Sequence, residues 1–275
     1  MEISGKTFLV TGGAQGMGKT FVVELAKLGA NVFFCDLQGD KIAKVEEEVL
    51  SFVKEGQVVK GIEMNIAESS KIIDGEIVDG IDISSQNFEK FIELAIEHTG
   101  DIHGIINNAG ITRDGLLAKI DKKTGDVKTL SNKKWKQVLD VNLTGVFLGA
   151  RAYADWHIRN KKKEGVIVSI SSVSRHGNKG QSNYSAAKAG IVAMTALWAG
   201  ELSRYGIRTG AVAPGATMTP ILQGMREDML EGMKKGIPLR RIADTEEIFA
   251  AIKFIIECDY FTGRVIDVDG GLRLT

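Results

Sequence analysis

The sequence predicts an α/β fold with a doubly wound parallel sheet of about seven strands in a single domain. Short apolar runs typical of buried strands alternate with longer stretches whose apolar residues recur at helical spacing. The first apolar run ends in a glycine-rich turn that leads into a helix. A chain of 275 residues is long enough for one large core, and it shows no repeat, low-complexity tract or linker.

Composition excludes several classes of function. Lys+Arg and Asp+Glu are equal at 35 each, so no net charge points to a nucleic-acid partner. Cys35 and Cys258 lack the spacing of metal ligands, and no metal site is predicted. Residues 1–6 lack an apolar signal core, and no apolar run approaches the ~20 residues that span a membrane. We expect a cytoplasmic protein without a membrane partner.

The first unit is a strand at 6–11, the turn 11–18 and a helix that stops at Gly29. Gly12 permits a tight turn, and Gly16 lets the backbone approach a pyrophosphate. The helix N-terminus adds N–H donors and a positive dipole end. Because a strand precedes these glycines and a helix follows them, they predict a dinucleotide site.

The second strand, 31–36, ends in an acidic residue. Asp36 follows the glycines by about 20 residues, where a carboxylate accepts hydrogen bonds from the adenosine ribose and repels a 2′-phosphate. Neither lysine nor arginine follows directly in Leu37-Gln38-Gly39. The sequence therefore favours NAD(H), with NADP(H) left open.

The middle of the chain is less regular. We expect helices at 40–54 and 86–98 and strands at 58–64 and 101–106. Residues 65–80 lack clear periodicity and are either an insertion or a longer hairpin. Residues 116–130 are polar and predict an extended surface hairpin or loop. One long helix is expected over 131–159.

A tyrosine and a lysine follow the fifth strand, 165–170. Tyr184 and Lys188 are four residues apart, so on a helix they share one face. A lysine ammonium there would lower the pKa of Tyr184 and suit it to general acid–base chemistry. Ser171 and Ser172 lie at the strand end, where either hydroxyl could hydrogen-bond the substrate oxygen that Tyr184 would protonate. The alternative is a surface tyrosine beside a solvated lysine.

The last third of the chain predicts a helix from 186 to 202, a strand at 206–213, a helix at 245–258 and a strand at 263–271. Methionines recur at helical spacing between residues 220 and 238. Such a pattern is usually an apolar helix face, and it also suits adaptable contacts with an apolar substrate.

Four motifs together resemble the short-chain dehydrogenase/reductase family. They are Thr-Gly-x-x-x-Gly-x-Gly at 11–18, Asn-Asn-Ala-Gly at 107–110, Tyr-x-x-x-Lys at 184–188 and Pro-Gly-x-x-x-Thr at 214–219. The resemblance implies a Rossmann-type fold and hydride transfer between a nicotinamide and a carbonyl or secondary alcohol. Residues 111–114, Ile-Thr-Arg-Asp, resemble the 3-oxoacyl-[acyl-carrier-protein] reductases in particular.

The resemblance also implies roles for individual residues. The implied catalytic residues are Asn142, Ser172, Tyr184 and Lys188. The implied cofactor contacts are Gly12, Gln15, Gly16, Met17, Gly18, Asp36, Leu37, Asp82, Ile83, Asn108, Ala109, Gly110, Tyr184, Lys188, Pro214, Thr217 and Thr219.

Two of these assignments depend on counting. The family's usual spacing to Tyr184 selects Ser171, whereas counting along the strand from Gly165 selects Ser172. We prefer the strand count, because a loop loses a residue more easily than a strand slips its register. The family places an Asp-Val-like pair after the third strand, and Asp82-Ile83 is the best match.

The resemblance further implies insertions near 65–80 and 116–130, a substrate lid near 217–238 and a homotetramer. A 3-oxoacyl thioester is the expected substrate, and Lys161, Lys162, Lys163 and Arg204 could attract an acidic acyl carrier protein by long-range charge. One alternative is an NAD-linked dehydrogenase of another secondary alcohol, whether 3-hydroxyacyl, sugar or steroid-like. Another is a non-catalytic NAD-binding sensor or scaffold.

Overall fold

The computed structural model describes residues 1–73 and 76–274 of the chain. The strands of this part are β1 (Thr7–Thr11), β2 (Asn31–Asp36), β3 (Val59–Glu63), β4 (Lys71–Ile73), β5 (Glu76–Val78), β6 (Gly104–Asn107), β7 (Ala118–Ile120), β8 (Val127–Thr129), β9 (Gly165–Ile170), β10 (Ile207–Pro214) and β11 (Arg264–Val268). Seven of them form one parallel sheet in the order β11-β10-β9-β6-β1-β2-β3. The predicted doubly wound parallel sheet is therefore confirmed.

The helices are α1 (Gly16–Lys27), α2 (Gly39–Leu50), α3 (Gly80–Thr99), α4 (Asn132–Leu139), α5 (Gly145–Arg159), α6 (Ser182–Leu202), α7 (Pro220–Gln223), α8 (Glu227–Gly236) and α9 (Thr245–Glu257). A π-helical segment, Asp140–Thr144, joins α4 to α5 without a break. The long helix predicted over 131–159 is thus present, with one widened turn at its centre.

Helices cover both faces of the sheet. Side chains alternate along a strand, so Phe8 and Val10 of β1 pack into the core beneath α1, α2 and α9. Leu9 points the other way, into the core beneath α3, α5 and α6. All three side chains are fully buried. This two-sided burial explains why the central strands are almost continuously apolar.

The strand order reverses at β1. From β1 the sheet grows to β2 and β3 in one direction, and to β6, β9, β10 and β11 in the other. The connections leaving β1 and β6 therefore diverge, and a crevice opens at the carboxyl ends of these two strands. Ligands bind at such a switch point in open α/β sheets.

Two hairpins stand apart from the sheet. β4 and β5 pair antiparallel within the segment 65–80, so that segment contains the hairpin that the sequence left as one of two alternatives. β7 and β8 pair antiparallel within 116–130, and every residue of both strands is exposed.

Helix α6 begins at Ser182, four residues before the predicted start at 186. The side chain of Asn183 explains the earlier start. Its Oδ1 accepts from the N–H of Tyr184 (2.8 Å), and its Nδ2 donates to the carbonyls of Arg113 (3.2 Å) and Lys134 (3.1 Å). Tyr184 therefore lies in the first helical turn, held against the segments that flank the β7–β8 hairpin.

The junction before β10 gives a test of the fold. Gly206 has φ +76°, and a Cβ there would lie 1.9 Å from the carbonyl oxygen of Lys163. We expect Gly206→Ala to lower the free energy of unfolding by about 3 kcal/mol or more, because backbone strain and a steric clash add. Gly125 has φ +78° with no atom within 4 Å of a built Cβ, so Gly125→Ala should cost only about 1 kcal/mol. Equal losses in urea titrations of the two variants would contradict the steric argument.

Candidate active site

The glycine-rich turn packs closely against the loop that follows β6. A Cβ on Gly12 would lie 2.9 Å from Cα of Ala109, and a Cβ on Gly18 would lie 1.9 Å from the carbonyl oxygen of Gly12. Gly12 and Gly16 both have positive φ, +67° and +54°. Gln15 caps α1 in an extended conformation, so the N–H groups of Gly16, Met17 and Gly18 open the helix. Such a start is suited to a phosphate.

Hydrogen bonds join this turn to the Asn-Asn-Ala-Gly segment across the switch point. The hydroxyl of Thr11 accepts from the N–H groups of Asn108 and Ala109, both at 3.1 Å. Nδ2 of Asn108 donates to the carbonyls of Thr11 and Gly12, both at 3.0 Å. The crevice therefore has a fixed width at its base.

Asp36 lies where the sequence places it, at the carboxyl end of β2. Its Oδ2 accepts from the N–H of Ala14 (3.0 Å) and its Oδ1 from the N–H of Leu37 (2.7 Å). The carboxylate is thus held beside the glycine turn and is 9% exposed. Leu37 is largely exposed at the mouth of the crevice.

Two charged residues here were missed by sequence reasoning. Glu63, at the end of β3, pairs in register with Asp36 and is exposed, so two carboxylates stand side by side. The parallel register of the two strands would have identified it. Nζ of Lys41 lies 2.6 Å from Oε1 of Gln15, which brings one cation to the same rim.

The segment after β10 returns to the glycine turn. Pro214 is the last residue of β10. Thr217 is buried and forms an isolated parallel β-bridge with Ala243. Cγ2 of Thr219 lies 3.6 Å from the position of a Cβ on Gly16. The predicted Pro-Gly-x-x-x-Thr residues therefore lie along the same crevice as the glycines.

Asp82 and Ile83 are not where the sequence analysis expected them. They lie in the first turn of α3, beyond the β4–β5 hairpin, and do not follow the third strand of the sheet. The residues that follow β3 are Met64, Asn65 and Ile66. The weak periodicity of residues 65–80 caused the wrong assignment, because it did not show that a hairpin lies between the end of β3 and Asp82. Asn65 and Ile66 replace Asp82 and Ile83 as candidates for this position.

Ser172 and Ser171 point in opposite directions, as adjacent residues of an extended segment do. The hydroxyl of Ser172 accepts from the N–H of Ser174 (3.1 Å) and lies close enough to Tyr184 to lower the pKa of its phenol. The hydroxyl of Ser171 is buried and donates to the carbonyl of Lys188 (2.8 Å). Ser172 is therefore the serine that faces the tyrosine.

The pKa of Tyr184 moves opposite to the sequence-based expectation. Burial raises this pKa, the hydrogen bond from Ser172 lowers it, and the charge of Asp114 raises it. The predicted lowering by Lys188 is wrong for this structure. The reason is geometric: Nζ of Lys188 faces the tyrosine ring, 5.5 Å from its centroid, and donates to the carbonyl of Ile170 (2.6 Å).

Lys188 is itself strongly affected by its surroundings. Its side chain is buried, and burial lowers its pKa to about 8. A lysine with such a pKa can lose or gain a proton near neutral pH, which an exposed lysine does not do.

Asn142 is fully buried at the centre of the π-helical segment. Its Oδ1 accepts from the N–H of Ile111 (2.8 Å), and its Nδ2 donates to the carbonyl of Ile111 (2.9 Å). A Cβ on Gly110 would lie 3.6 Å from Oδ1 of Asn142. The amide thus fixes the end of the Asn-Asn-Ala-Gly segment, and any further role of Asn142 falls to its main chain. Such π segments are frequent at functional sites.

Lys161, Lys162, Lys163 and Arg204 line an open groove of about 430 Å³ with Ile158 and Tyr205. The groove lies at the amino ends of β9 and β10, whereas Ser172 and Tyr184 lie beyond the carboxyl end of β9. Within one chain, the predicted basic cluster and Tyr184 therefore lie at opposite ends of the strands.

The described residues contain no group of three or more His, Cys, Asp or Glu side chains suited to a metal ion. Within the same ranges, no helix has the length and apolarity needed to cross a membrane.

Comparison with known proteins gives a consistent result. A family model described as short chain dehydrogenase matches residues 6–230. A 3-oxoacyl-[acyl-carrier-protein] reductase of Thermotoga maritima is 35% identical over 99% of both chains, and an acetoacetyl-CoA reductase of Synechocystis is 35% identical over 98% of this chain and 97% of its own. The crystal structure of levodione reductase superposes with a TM-score of 0.78 at 26% identity, covering 98% of this chain and 97% of that one. The chain therefore belongs to the short-chain dehydrogenase family and is an oxidoreductase of that family.

Proposed function

We propose that the protein uses NADH to reduce the 3-oxo group of an acyl thioester, in a reversible reaction. The observation that carries this proposal is Tyr184, with the buried Nζ of Lys188 5.5 Å from its ring centroid and Ser172 close enough to lower the pKa of its phenol. Two of the relatives are named as reductases of 3-oxoacyl thioesters, one on a carrier protein and one on CoA. Shared names at this identity support the substrate class.

The crevice fits a dinucleotide. The close packing at Gly12 and Gly18 leaves no room for a Cβ, and the backbone N–H groups that open α1 would hold the pyrophosphate. We assign the adenosine end to Asp36, Leu37, Asn65 and Ile66, and the nicotinamide end to Pro214, Thr217, Thr219 and Lys188. When bound, the nicotinamide supplies the hydride.

The chain's own residues supply the proton and the orientation. The raised pKa of Tyr184 keeps its phenol protonated at neutral pH, so in the direction of reduction it can give a proton to the substrate oxygen. Ser172 donates a hydrogen bond to the same oxygen and holds it against Tyr184. The ammonium of Lys188, over the ring of Tyr184, would replace that proton, and the main-chain carbonyl of Asn142 would hold the water that returns a proton to Lys188.

Two carboxylates favour NADH over NADPH. Asp36 is fixed by two backbone N–H groups, and Glu63 lies beside it in register. A 2′-phosphate placed there would meet two negative charges. Lys41 at the rim favours the alternative cofactor, since its ammonium could pair with that phosphate.

The remaining parts of the proposal concern assembly and access. We place the enzyme in the cytoplasm as a homotetramer, and we assign residues 217–238 to a substrate lid. α8 (Glu227–Gly236) lies in this lid, and α8 itself has no buried residue. Met229 is half exposed. A lightly packed segment of this kind can move over an acyl chain.

Tyr184→Phe removes the proton donor and leaves the cofactor crevice intact. With acetoacetyl-CoA and NADH, we expect kcat to fall about 10³-fold, which is within the range for loss of a general acid. NADH binding, followed by quenching of protein fluorescence, should stay within about threefold of wild type. Tyr260 is fully exposed, so Tyr260→Phe is the matched control and should keep full activity. Retained turnover in Tyr184→Phe would exclude the mechanism.

Lys188→Met tests the cost of burying the ammonium. The folded pKa, about 8, lies below the ordinary value of 10.5, so the folded state binds this proton less tightly than the unfolded state does. Below pH 8 the wild type carries the full cost, about 3 kcal/mol, and the cost disappears as the pH rises towards 10.5. We expect Lys188→Met to gain stability relative to wild type at pH 7 and to lose that advantage by pH 10, while turnover is abolished. A stability difference that does not change with pH would refute this account.

Asp36→Asn combined with Glu63→Gln tests the cofactor preference. Wild type should show the higher kcat/KM with NADH. In the variant, the ratio of kcat/KM for NADPH over NADH should rise about 10- to 100-fold, because a charge-assisted bond to the ribose is lost and repulsion of the phosphate is removed. Glu55→Gln, at an exposed position outside the crevice, should leave the ratio unchanged. A wild-type preference for NADPH would refute the assignment of NADH.

A further inference from the structure

A strongly basic hairpin rises beside the candidate tyrosine. The basic hairpin, residues 116–136, comprises β7, β8, their flanks and the start of α4. It contains seven lysines and two aspartates, a net charge of +5, in a chain whose net charge is zero. The lysines are Lys119, Lys122, Lys123, Lys128, Lys133, Lys134 and Lys136.

Both ends of this hairpin are fixed to the residues that precede Tyr184. The N–H of Gly115 donates to the carbonyl of Gly180 (2.8 Å), and Nε2 of Gln181 donates to the carboxylate of Asp114 (3.1 Å). Asn183 donates to the carbonyl of Arg113, just before the basic hairpin, and to that of Lys134, near its end. The basic hairpin is therefore part of the rim over Tyr184.

The hairpin surface combines apolar and cationic groups. Leu117, Ile120 and Val127 are 74%, 69% and 69% exposed, and Ile120 pairs with Val127 across the two strands. Lys119 stands directly opposite Lys128, a pairing of like charges that costs stability in the free protein. Lys128 also pairs with Asp121. A partner with carboxylates around an apolar patch would complement both features.

We propose that the basic hairpin docks an acidic carrier protein and so delivers the thioester to Tyr184. This inference rests on the proposed function. The exposed apolar side chains favour a protein partner over the phosphates of CoA, which would use the lysines alone. The hairpin also lies on the catalytic rim, whereas the groove at Lys161–Lys163 lies at the opposite edge of the sheet within one chain.

The test compares one acetoacetyl group on three carriers: an acyl carrier protein, CoA and the neutral N-acetylcysteamine thioester. The variant is Lys122→Glu with Lys123→Glu, at the exposed turn of the hairpin. At about 50 mM salt we expect KM for the carrier-protein substrate to rise about 10-fold or more, and at about 500 mM salt most of that rise should disappear. Turnover of the neutral thioester should stay unchanged.

The matched control is Lys44→Glu with Lys54→Glu, two exposed lysines in and after α2 that give the same change of net charge. It should leave KM for all three substrates unchanged. An equal rise of KM in variant and control would overturn the proposal, as would a loss confined to the CoA substrate. The proposal would also be overturned if KM for the carrier-protein substrate rose when Lys161 and Lys163 were changed to Glu, but not when Lys122 and Lys123 were. Wild type that fails to turn over any of the three thioesters would instead refute the proposed function.

Discussion

The hydrogen bonds between the glycine turn and the Asn-Asn-Ala-Gly segment hold the crevice together. One hydroxyl, that of Thr11, accepts from two backbone N–H groups, and one amide, that of Asn108, donates to two carbonyls. These bonds satisfy main-chain groups at the ends of two neighbouring strands, where the sheet ladder no longer can. The turn can then approach the loop so closely that only glycine fits at Gly12 and Gly18.

The catalytic side chains depend on the same frame, through a second set of contacts. Asn142 fixes Ile111, just after the Asn-Asn-Ala-Gly segment, and Asn183 fixes the segments on either side of the hairpin. Ser172 lies close enough to Tyr184, next to this frame, to lower the pKa of its phenol. Burial then sets the chemistry: it disfavours both the phenolate of Tyr184 and the ammonium of Lys188. A site that holds an ammonium out of water sacrifices stability for a proton that can move.

Much of this arrangement follows from local patterns. The central sheet strands are apolar and short, and the bounds of β2 and β9 match those expected from the sequence, because both faces of these strands are buried. The facing of Ser172 follows from strand alternation counted from Gly165. The sequence patterns gave wrong predictions where tertiary contacts determine the bounds of an element or the place of a residue. Asn183 starts α6 early, and the β4–β5 hairpin separates Asp82 from the strand that it was thought to follow. Glu63 lies at the crevice because of the register between β2 and β3, and Lys41 reaches it through its long side chain.

The direction of the Tyr184 pKa shift shows a further limit of prediction from sequence spacing. The spacing of Tyr184 and Lys188 gives their proximity but not the direction in which the ammonium points. Lys188 directs its Nζ at the carbonyl of Ile170, beneath the tyrosine ring. Sequence spacing cannot supply that detail, because it depends on where the end of β9 meets α6.

The π-helical segment has a consequence for the rotational phase of the long helix. An α-helix turns about 100° per residue, so the extra residue accommodated between Asp140 and Thr144 rotates α5 relative to α4 by about that angle. The buried stripe of α5, which includes Leu148 and Tyr153, faces the sheet core, while Asn142 still faces Ile111. Shortening the segment by one residue would restore a regular helix. It would also force a choice between keeping the stripe of α5 in the core and keeping the amide of Asn142 on the crevice.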